Sequence, residues 1–352
     1  MSNGEFTVRT YNDIKSFYTA IPSNLYNGIF NSPFQFKEWQ ELLYQEFLAQ
    51  KKPGKYIGGI LFLDEEPVLG GHFFKKTTGR TKGLFLLGSG GDTDYNDLIW
   101  FKNIISTDSI NFFINRMLES TSQDKMWISQ VLKESHLSDW AVEYGADHIK
   151  SNTCAQIWLN NSFDEYWNCL KKSVRQNIRT AQNRIKTDNK SFEIITMEDD
   201  NIPEEIIQKF HSIYENRRIK KNGKLGIKQS IYEFNRKRLK KKFDLSMEAM
   251  RHVHNFLSAY ILIDGIIAGY FYGVKDNRGK VCLMHVAVDD EFSRYSPGMI
   301  LLSKTIEMEI DKKSITCFDL TNGDEGYKFS LGAVPHSTEY YCYTRKGITH
   351  GE

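Results

Sequence analysis

ILFLDEEPVLGGHFF at residues 60–74 and YILIDGIIAGYFY at residues 260–272 are two versions of one pattern. Each has an apolar run, an aspartate (Asp64, Asp264), a short turn, small residues that open a second run, and then aromatics. An apolar run that stops at a turn-forming residue and resumes at once predicts a tight β-hairpin. A further apolar strand follows each hairpin, GLFLL at 83–87 and VCLMHVAV at 281–288. A duplicated mixed α/β domain accounts for this echo better than two hairpins that happen to share a generic turn.

The rest of the chain fits two domains. Its 352 residues exceed the size at which single cores usually stop growing. With 40% hydrophobic residues, 26% charged residues and only 7 prolines, it has the composition of an ordinary folded protein. A net charge of +2 argues against wholesale nucleic-acid binding. The five cysteines are scattered and never form a C-x-x-C pair, which predicts reduced thiols and no metal site. His252 and His254 lack carboxylate or cysteine companions, so a metal site is not expected there either. The N-terminus MSNGEFTVRTYND has no apolar core, and no apolar run reaches the length of a membrane span. A cytoplasmic protein with no membrane partner is expected. Nothing in the sequence speaks to subunit number.

Apolar periodicity predicts helices at 36–48, 107–119, 163–186, 204–219 and 229–242. The third carries a stripe of Leu170, Val174, Ile178, Ala181 and Ile185. Further strands are expected at 126–131, 153–159, 192–196, 315–320 and 338–343. The change of domain falls near residue 150, giving halves 1–150 and 151–352, with no Gly- or Pro-rich linker between them.

The segment VCLMHVAVDDEFSRYSPGMILL at 281–302 is a strand, a polar loop and then a helix opened by Ser296, Pro297 and Gly298. Ser suits the N-cap and Pro the first helical position. Gly next to them lets a ligand approach the backbone. The free N–H groups of such a helix end suit a pyrophosphate, although a plain capped helix after a strand has the same appearance.

Residues 315–333, ITCFDLTNGDEGYKFSLGA, extend the pattern with a buried strand, an acidic turn and Tyr327-Lys328. Tyr295, Ser296, Pro297 and Gly298 with Asp319, Gly323, Asp324, Tyr327 and Lys328 make a spaced set that resembles the GNAT-type acetyltransferases found with bacterial cellulose and polysaccharide biosynthesis. Lys172, Arg175 and Arg179 match a basic helix of that family, and GSGGDTDYNDLI at 88–99, with Asp94 and Tyr95, matches a turn in its first half. One departure stands out. The wider superfamily's pyrophosphate loop reads Q/R-x-x-G-x-G/A, whereas Tyr295 and Ile300 flank Gly298 here and Pro297 lacks an N–H.

The resemblance implies an α/β fold of two tandem GNAT-like domains, each a mixed, mostly antiparallel twisted sheet flanked by helices, as in the peptidoglycan aminoacyl transferases. One half of such a pair usually keeps the acyl-donor site. By this likeness the C-terminal half holds acyl-CoA as co-substrate, carrying an acetyl or a longer or hydroxylated acyl group, along Val286, Ala287, Val288, Arg294, Tyr295, Ser296, Gly298 and Met299. The acidic turn of the N-terminal half would repel a pyrophosphate, so that half is expected to shape the acceptor site.

Acyl transfer from a thioester needs an unprotonated nucleophile, an oxyanion donor and a proton for the leaving thiolate. His285 is the titratable residue of the 281–288 strand and is read as the base, or else as a hydrogen-bonded core histidine. In a regular strand it shares a face with Leu283 and Ala287. Asp319 orients it, takes the proton itself, or caps the turn at 320–323. Tyr327 is the candidate proton donor to the thiolate or an acceptor contact, with a packed aromatic as the plainer reading. Lys172, Arg175, Arg179, Asp324, Lys328, Asp94 and Tyr95 complete the candidate acceptor contacts, and a solvated basic face explains the first three equally simply. The runs RRIKK at 217–221 and RKRLKKK at 236–242 read as solvated helix surface.

Three functions compete. The leading one is N-acylation of a nucleotide-linked amino sugar for surface-polysaccharide synthesis. The second is a peptidoglycan-type aminoacyl transfer from aminoacyl-tRNA, with 217–242 as the tRNA footprint. The third is a non-catalytic binding protein that keeps the fold without the chemistry.

Overall fold

The computed structural model describes residues 5–29, 32–49, 54–77, 81–89, 93–103, 106–198, 202–224, 243, 247 and 256–345. The expected helix at 229–242, the run at 236–242 and His252 and His254 lie outside the described residues. Contacts divide the chain into two units, Met1–Cys154 with His336–Glu352, and Ala155–Pro335. The sequence placed the change near residue 150. The division follows Cys154, and the residues from His336 onward belong to the first unit.

The first unit contains β1 (Phe6–Tyr11), α1 (Ile14–Thr19), α2 (Lys37–Ala49), β2 (Lys55–Leu63), β3 (Glu66–Lys76), β4 (Gly83–Leu86), the short β5 (Ile99–Trp100), α3 (Thr107–Thr121), β6 (Lys125–Leu132) and α4 (His136–Glu143). Strand β7 (Asp147–Trp158) carries the chain into the second unit. There follow α5 (Phe163–Cys169), α6 (Lys172–Thr187), β8 (Phe192–Glu198), α7 (Glu204–Lys224), β9 (Phe256–Ile263), β10 (Ile266–Lys275), β11 (Lys280–Val288), α8 (Pro297–Lys312), β12 (Cys317–Asn322) and α9 (Gly326–Ser330). Strand β13 (Val334–Thr344) returns to the first unit and pairs with β6.

The two units repeat one topology. The first runs β1-β2-β3-β4-β6 and the second β8-β9-β10-β11-β12. In both, every neighbouring pair is antiparallel except the last, β4·β6 and β11·β12. A parallel neighbour requires a crossover, which α3 and α8 provide.

The repeat holds residue by residue in the two hairpins. Asp64 and Glu65 turn at φ 50° and 66°, and Asp264 and Gly265 at 54° and 77°. Both are two-residue turns with positive φ at each centre, which match the twist of the flanking strands. Pairing then runs Leu63↔Glu66 and Phe62↔Pro67, skips Val68 and resumes at Leu61↔Leu69. In the second hairpin it runs Ile263↔Ile266 and Ile267↔Leu262, skips Ala268 and resumes at Gly269↔Ile261. The Asp64 N–H donates to the Glu5 carbonyl and that of Asp264 to the Ser191 carbonyl, each one residue ahead of its unit's first strand. Two hairpins that shared only a turn would not share a bulge and an anchor.

Each unit has its own apolar core. In the second, the α6 stripe of Val174, Ile178, Ala181 and Ile185 packs with Ile300, Leu301 and Ile306 of α8 against Phe271, Leu283 and Phe318 of the sheet. The sequence expected one helix over 163–186. Instead Leu170 and Lys171 are extended, with ψ 144° and 141°. The break lets Leu170 enter the core, and Arg175 covers the carbonyls it exposes (Trp167 and Asn168, 3.3 and 3.2 Å). No helix among the described residues is long and apolar enough to cross a membrane.

Candidate active site

Strands β11 and β12 pair over only three residues, Lys280↔Cys317, Val281↔Phe318 and Cys282↔Asp319. Beyond these, β11 continues to Val288 and β12 to Asn322 without pairing with each other, and after the Thr321 hydroxyl, which donates to the Leu283 carbonyl at 3.4 Å, the sheet opens. A bulge at Met284 lies just past the last pair, because Tyr272 faces His285 while Gly273 faces Leu283. An extra residue bends the bulged strand and increases its local twist.

The ladder phase shows which peptide groups face the opening. The Asp289 N–H donates to the Ala268 carbonyl at 2.9 Å, so Gly269 and Val288 form a non-hydrogen-bonded pair. Pairs alternate along an antiparallel ladder, which makes Phe271 and Val286 another such pair. Val286 and Val288 therefore turn both N–H and C=O away from β10, towards the side that β12 has left. The Val286 carbonyl accepts from Nη1 of Arg217 on α7 at 3.0 Å. Its N–H faces the opening.

The bulge also overturns the expected strand alternation. Leu283 joins the core below α8, whereas His285 lies on the opposite face, against Tyr214 of α7 at 4.4 Å and beside Tyr270 and Tyr272. Its Nδ1 is 3.2 Å from the Tyr270 hydroxyl. Arg217 stands one helical turn after Tyr214, so both reach β11 from the same face of α7.

Where β11 ends, a short turn leads into α8. Ser296 occupies the N-cap position, but at φ 46° and ψ 51° and with no side-chain cap. The expected hydroxyl cap is thus replaced by a backbone one, in which the Ser296 carbonyl accepts from the Met299 and Ile300 N–H groups. Among the described residues the Gly298 N–H has no hydrogen-bond partner. A Cβ on Gly298 would sit 3.0 Å from Cγ1 of Val288, with nothing else within 4 Å, so glycine keeps this corner open. Beside it lies a cavity of about 290 Å³ lined by Asn177, Ile178, Arg184, Ser296, Met299 and Tyr327. Burial pushes the Tyr327 phenol up to about 12; Glu325 adds to the rise and Arg217 opposes it. A phenol raised in this way stays protonated across the neutral range.

Residues 172–329 match the family described as an acetyltransferase (GNAT) domain.

That span covers just under half of the chain and runs from α6 to α9. No curated protein matches the sequence. Among solved structures, a conserved protein of unknown function from Bacteroides thetaiotaomicron VPI-5482 is similar over 96% of this chain and 100% of its own, at 11% identity and a TM-score of 0.54. FemX is similar over 97% of each chain, at 10% identity and a TM-score of 0.51. At this identity the likeness concerns the fold, which is that of two tandem GNAT-like domains, each a mostly antiparallel mixed sheet flanked by helices.

Within the GNAT domain the expected site residues divide into two groups. Val286, Val288, Ser296, Gly298, Met299 and Tyr327 line the opening or its adjoining cavity. The others are committed elsewhere. Arg294 pairs with Asp188 at 3.1 Å and the Tyr295 hydroxyl donates to the same carboxylate at 2.5 Å, which ties the turn before α8 to the end of α6. Ala287 is buried in the ladder opposite Tyr270. Asp319 is fully buried, accepts from the Thr321 N–H at 2.9 Å and lies 3.7 Å from the Lys280 ammonium. Lys328 is 3% exposed, and its ammonium donates to the carbonyls of Thr321, Asn322 and Gly323. Arg175 holds the end of α5, and Arg179 lies over the Trp167 ring at 5.7 Å. Lys172 and Asp324 are exposed. Asn177 and Arg184 were not singled out in the sequence, and Arg217 was read only as part of the basic run at 217–221; a polar residue in a mostly polar helix carries no mark of what it will face.

The corresponding place in the first unit is closed by the chain itself. Strands β4 and β6 pair only at Leu84↔Met126 and Phe85↔Trp127, and Gln130 repeats the positive φ of Thr321 (59° and 54°). Here Asn96 donates its backbone N–H to Gln130 at 2.8 Å and its Nδ2 to Ser129 at 3.0 Å, filling the gap. Tyr95 is 2% exposed and accepts from Gln35 through its carbonyl, while Asp94 beside it is half-buried. Tyr95 is thus a packing residue of the first unit's core.

Proposed function

We propose that this protein is an acyl-CoA-dependent N-acyltransferase whose donor site is the opening between β11 and β12 of the GNAT domain. The observation that carries the reading is the sheet's divergence after Cys282↔Asp319, with the Val286 and Val288 peptide groups turned into the gap beside the free Gly298 N–H. An extended thioester arm fits between such strands as a pseudo-strand. A helix start with an unpaired N–H suits its pyrophosphate.

In this reading the acceptor amine gives its proton to His285 and attacks the thioester carbonyl carbon. The carbonyl oxygen takes the electron pair and is held by the Val286 N–H. When the carbon–sulfur bond breaks, the thiolate takes a proton from Tyr327. For the acceptor we retain a nucleotide-linked amino sugar of surface-polysaccharide synthesis. The polar side chains of Asn177, Thr180 and Arg184 near Tyr327 supply contacts for such a ligand. An aminoacyl-tRNA donor would use the same opening; its proposed footprint lies largely outside the described residues.

Titration calorimetry with CoA and with aminoacyl-tRNA tests the donor. CoA binding that Gly298→Leu abolishes without lowering the unfolding temperature is the expected result. Binding of aminoacyl-tRNA alone would replace CoA as the donor.

A further inference from the structure

We propose that Arg217 is a catalytic residue of this opening: its guanidinium, together with the Val286 N–H, holds the acyl carbonyl oxygen as that oxygen becomes an oxyanion. The inference rests on the acyl-donor reading above and adds to it a charged group that the backbone alone would not supply.

Arg217 binds a carbonyl on the open edge of β11. The N–H and C=O of one strand residue emerge on the same edge of the strand. A group anchored on the Val286 carbonyl therefore sits beside the Val286 N–H. Arginine presents five N–H donors in a rigid fork. Among the described residues, Arg217 spends one of them, on Val286 at 3.0 Å. Capping a single strand-edge carbonyl needs only one neutral donor, which a glutamine would supply. Among the described residues the other donors make no hydrogen bond, and the proposal assigns one of them to the oxygen that the Val286 N–H would hold.

Its surroundings agree. Tyr214, one turn earlier on α7, packs on His285 at 4.4 Å, so the helix face that delivers Arg217 also borders the proposed base. The positive charge lowers the phenol pKa of both Tyr270 and Tyr327, against larger rises from burial. The guanidinium thus lies within electrostatic reach of the proposed proton donor as well as of the Val286 peptide.

The nucleophile gives its proton to His285. The nucleophile's lone pair forms a bond to the carbonyl carbon, and the carbonyl π pair moves to oxygen, where the Val286 N–H and Arg217 meet the new negative charge. The oxygen pair then re-forms the double bond, the carbon–sulfur bond breaks, and the thiolate leaves with that pair and is protonated by Tyr327. Arg217 remains a cation throughout. A charge-assisted donor stabilises the oxyanion more than it stabilises the neutral thioester, so its effect falls on turnover rather than on binding.

The test uses the full chain with Arg217→Gln and Arg217→Lys. Acetyl-CoA labelled with carbon-13 at the thioester carbonyl reports polarisation through its infrared stretch when bound. Release of CoA thiol with water as acceptor reports turnover, and calorimetry reports CoA affinity. Arg217→Gln should leave CoA affinity unchanged, move the bound carbonyl band back towards its solution position and slow thiol release by about 10²–10³-fold. Arg217→Lys should recover part of both, and added guanidinium should partly rescue Arg217→Gln. A CoA-binding Arg217→Gln protein with an unmoved band and unchanged thiol release would overturn the proposal and leave the donor site standing. If the wild type bound no CoA, the donor reading would fall and this inference with it.

Discussion

The Lys328 ammonium lies 2.8 Å from the Asn322 carbonyl and 3.3 Å from those of Thr321 and Gly323, closing the turn between β12 and α9 from inside. Glu325 pairs with the same ammonium at 3.1 Å. Lys328→Met fills the space but leaves these carbonyls without their donor. It should cost about 2–4 kcal/mol, read as a lower denaturant midpoint for the second unit's transition. Equal midpoints for wild type and variant would mean that water replaces the ammonium at no cost.

Tyr327 follows that turn. Its phenol, raised to about 12, stays protonated through the working range, so it can give a proton to a thiolate but cannot act as a base. Tyr327→Phe should lower kcat by about 10²–10⁴-fold with CoA affinity unchanged. The wild-type rate should show no loss on the basic side from Tyr327 until the pH approaches 12. Full activity in Tyr327→Phe would assign the leaving-group proton to solvent.

His285 is the proposed acceptor of the nucleophile's proton. His285→Asn should lower kcat by about 10²–10⁴-fold, keep CoA binding and flatten the acidic limb of the pH–rate profile. An unshifted profile with most activity retained would make His285 a packing partner of Tyr214, Tyr270 and Tyr272.

His72 in the first unit predicts a pH effect on stability instead. It is 3% exposed, with Nδ1 2.7 Å from the Tyr56 hydroxyl and Nε2 3.2 Å from that of Tyr18. Burial lowers its pKa from 6.5 to about 3. Below pH 6.5 the unfolded chain binds a proton that the folded one refuses, so stability falls as the pH drops from there towards 3. The slope approaches about 1.4 kcal/mol per pH unit. Above 6.5 this contribution is flat. Unfolding midpoints at pH 7, 6 and 5 should fall more steeply for wild type than for His72→Leu; parallel curves would place the acid sensitivity elsewhere.

Local chemistry made the repeat and the core legible. Asp64-Glu65 and Asp264-Gly265 turn where they do because short turn-forming pairs separate apolar runs, and that information lies within a few residues. The α6 stripe and the Pro297 helix start are local in the same way. The candidate site was legible only in part. Ser296, Gly298 and Tyr327 belong to recognisable patterns, so their place beside the opening could be anticipated. The posts of Lys328, Arg175 and Tyr295 could not, because a long polar side chain chooses its partner only after the backbone has placed the acceptors around it. Arg217 and Val286 lie 69 residues apart, and their contact exists only because a bulge at Met284 and the departure of β12 expose one carbonyl edge. Turn and helix signals are properties of neighbouring residues and survive in the bare chain. An unpaired strand edge is a property of the assembled sheet, and only the tertiary structure decides which cation meets it.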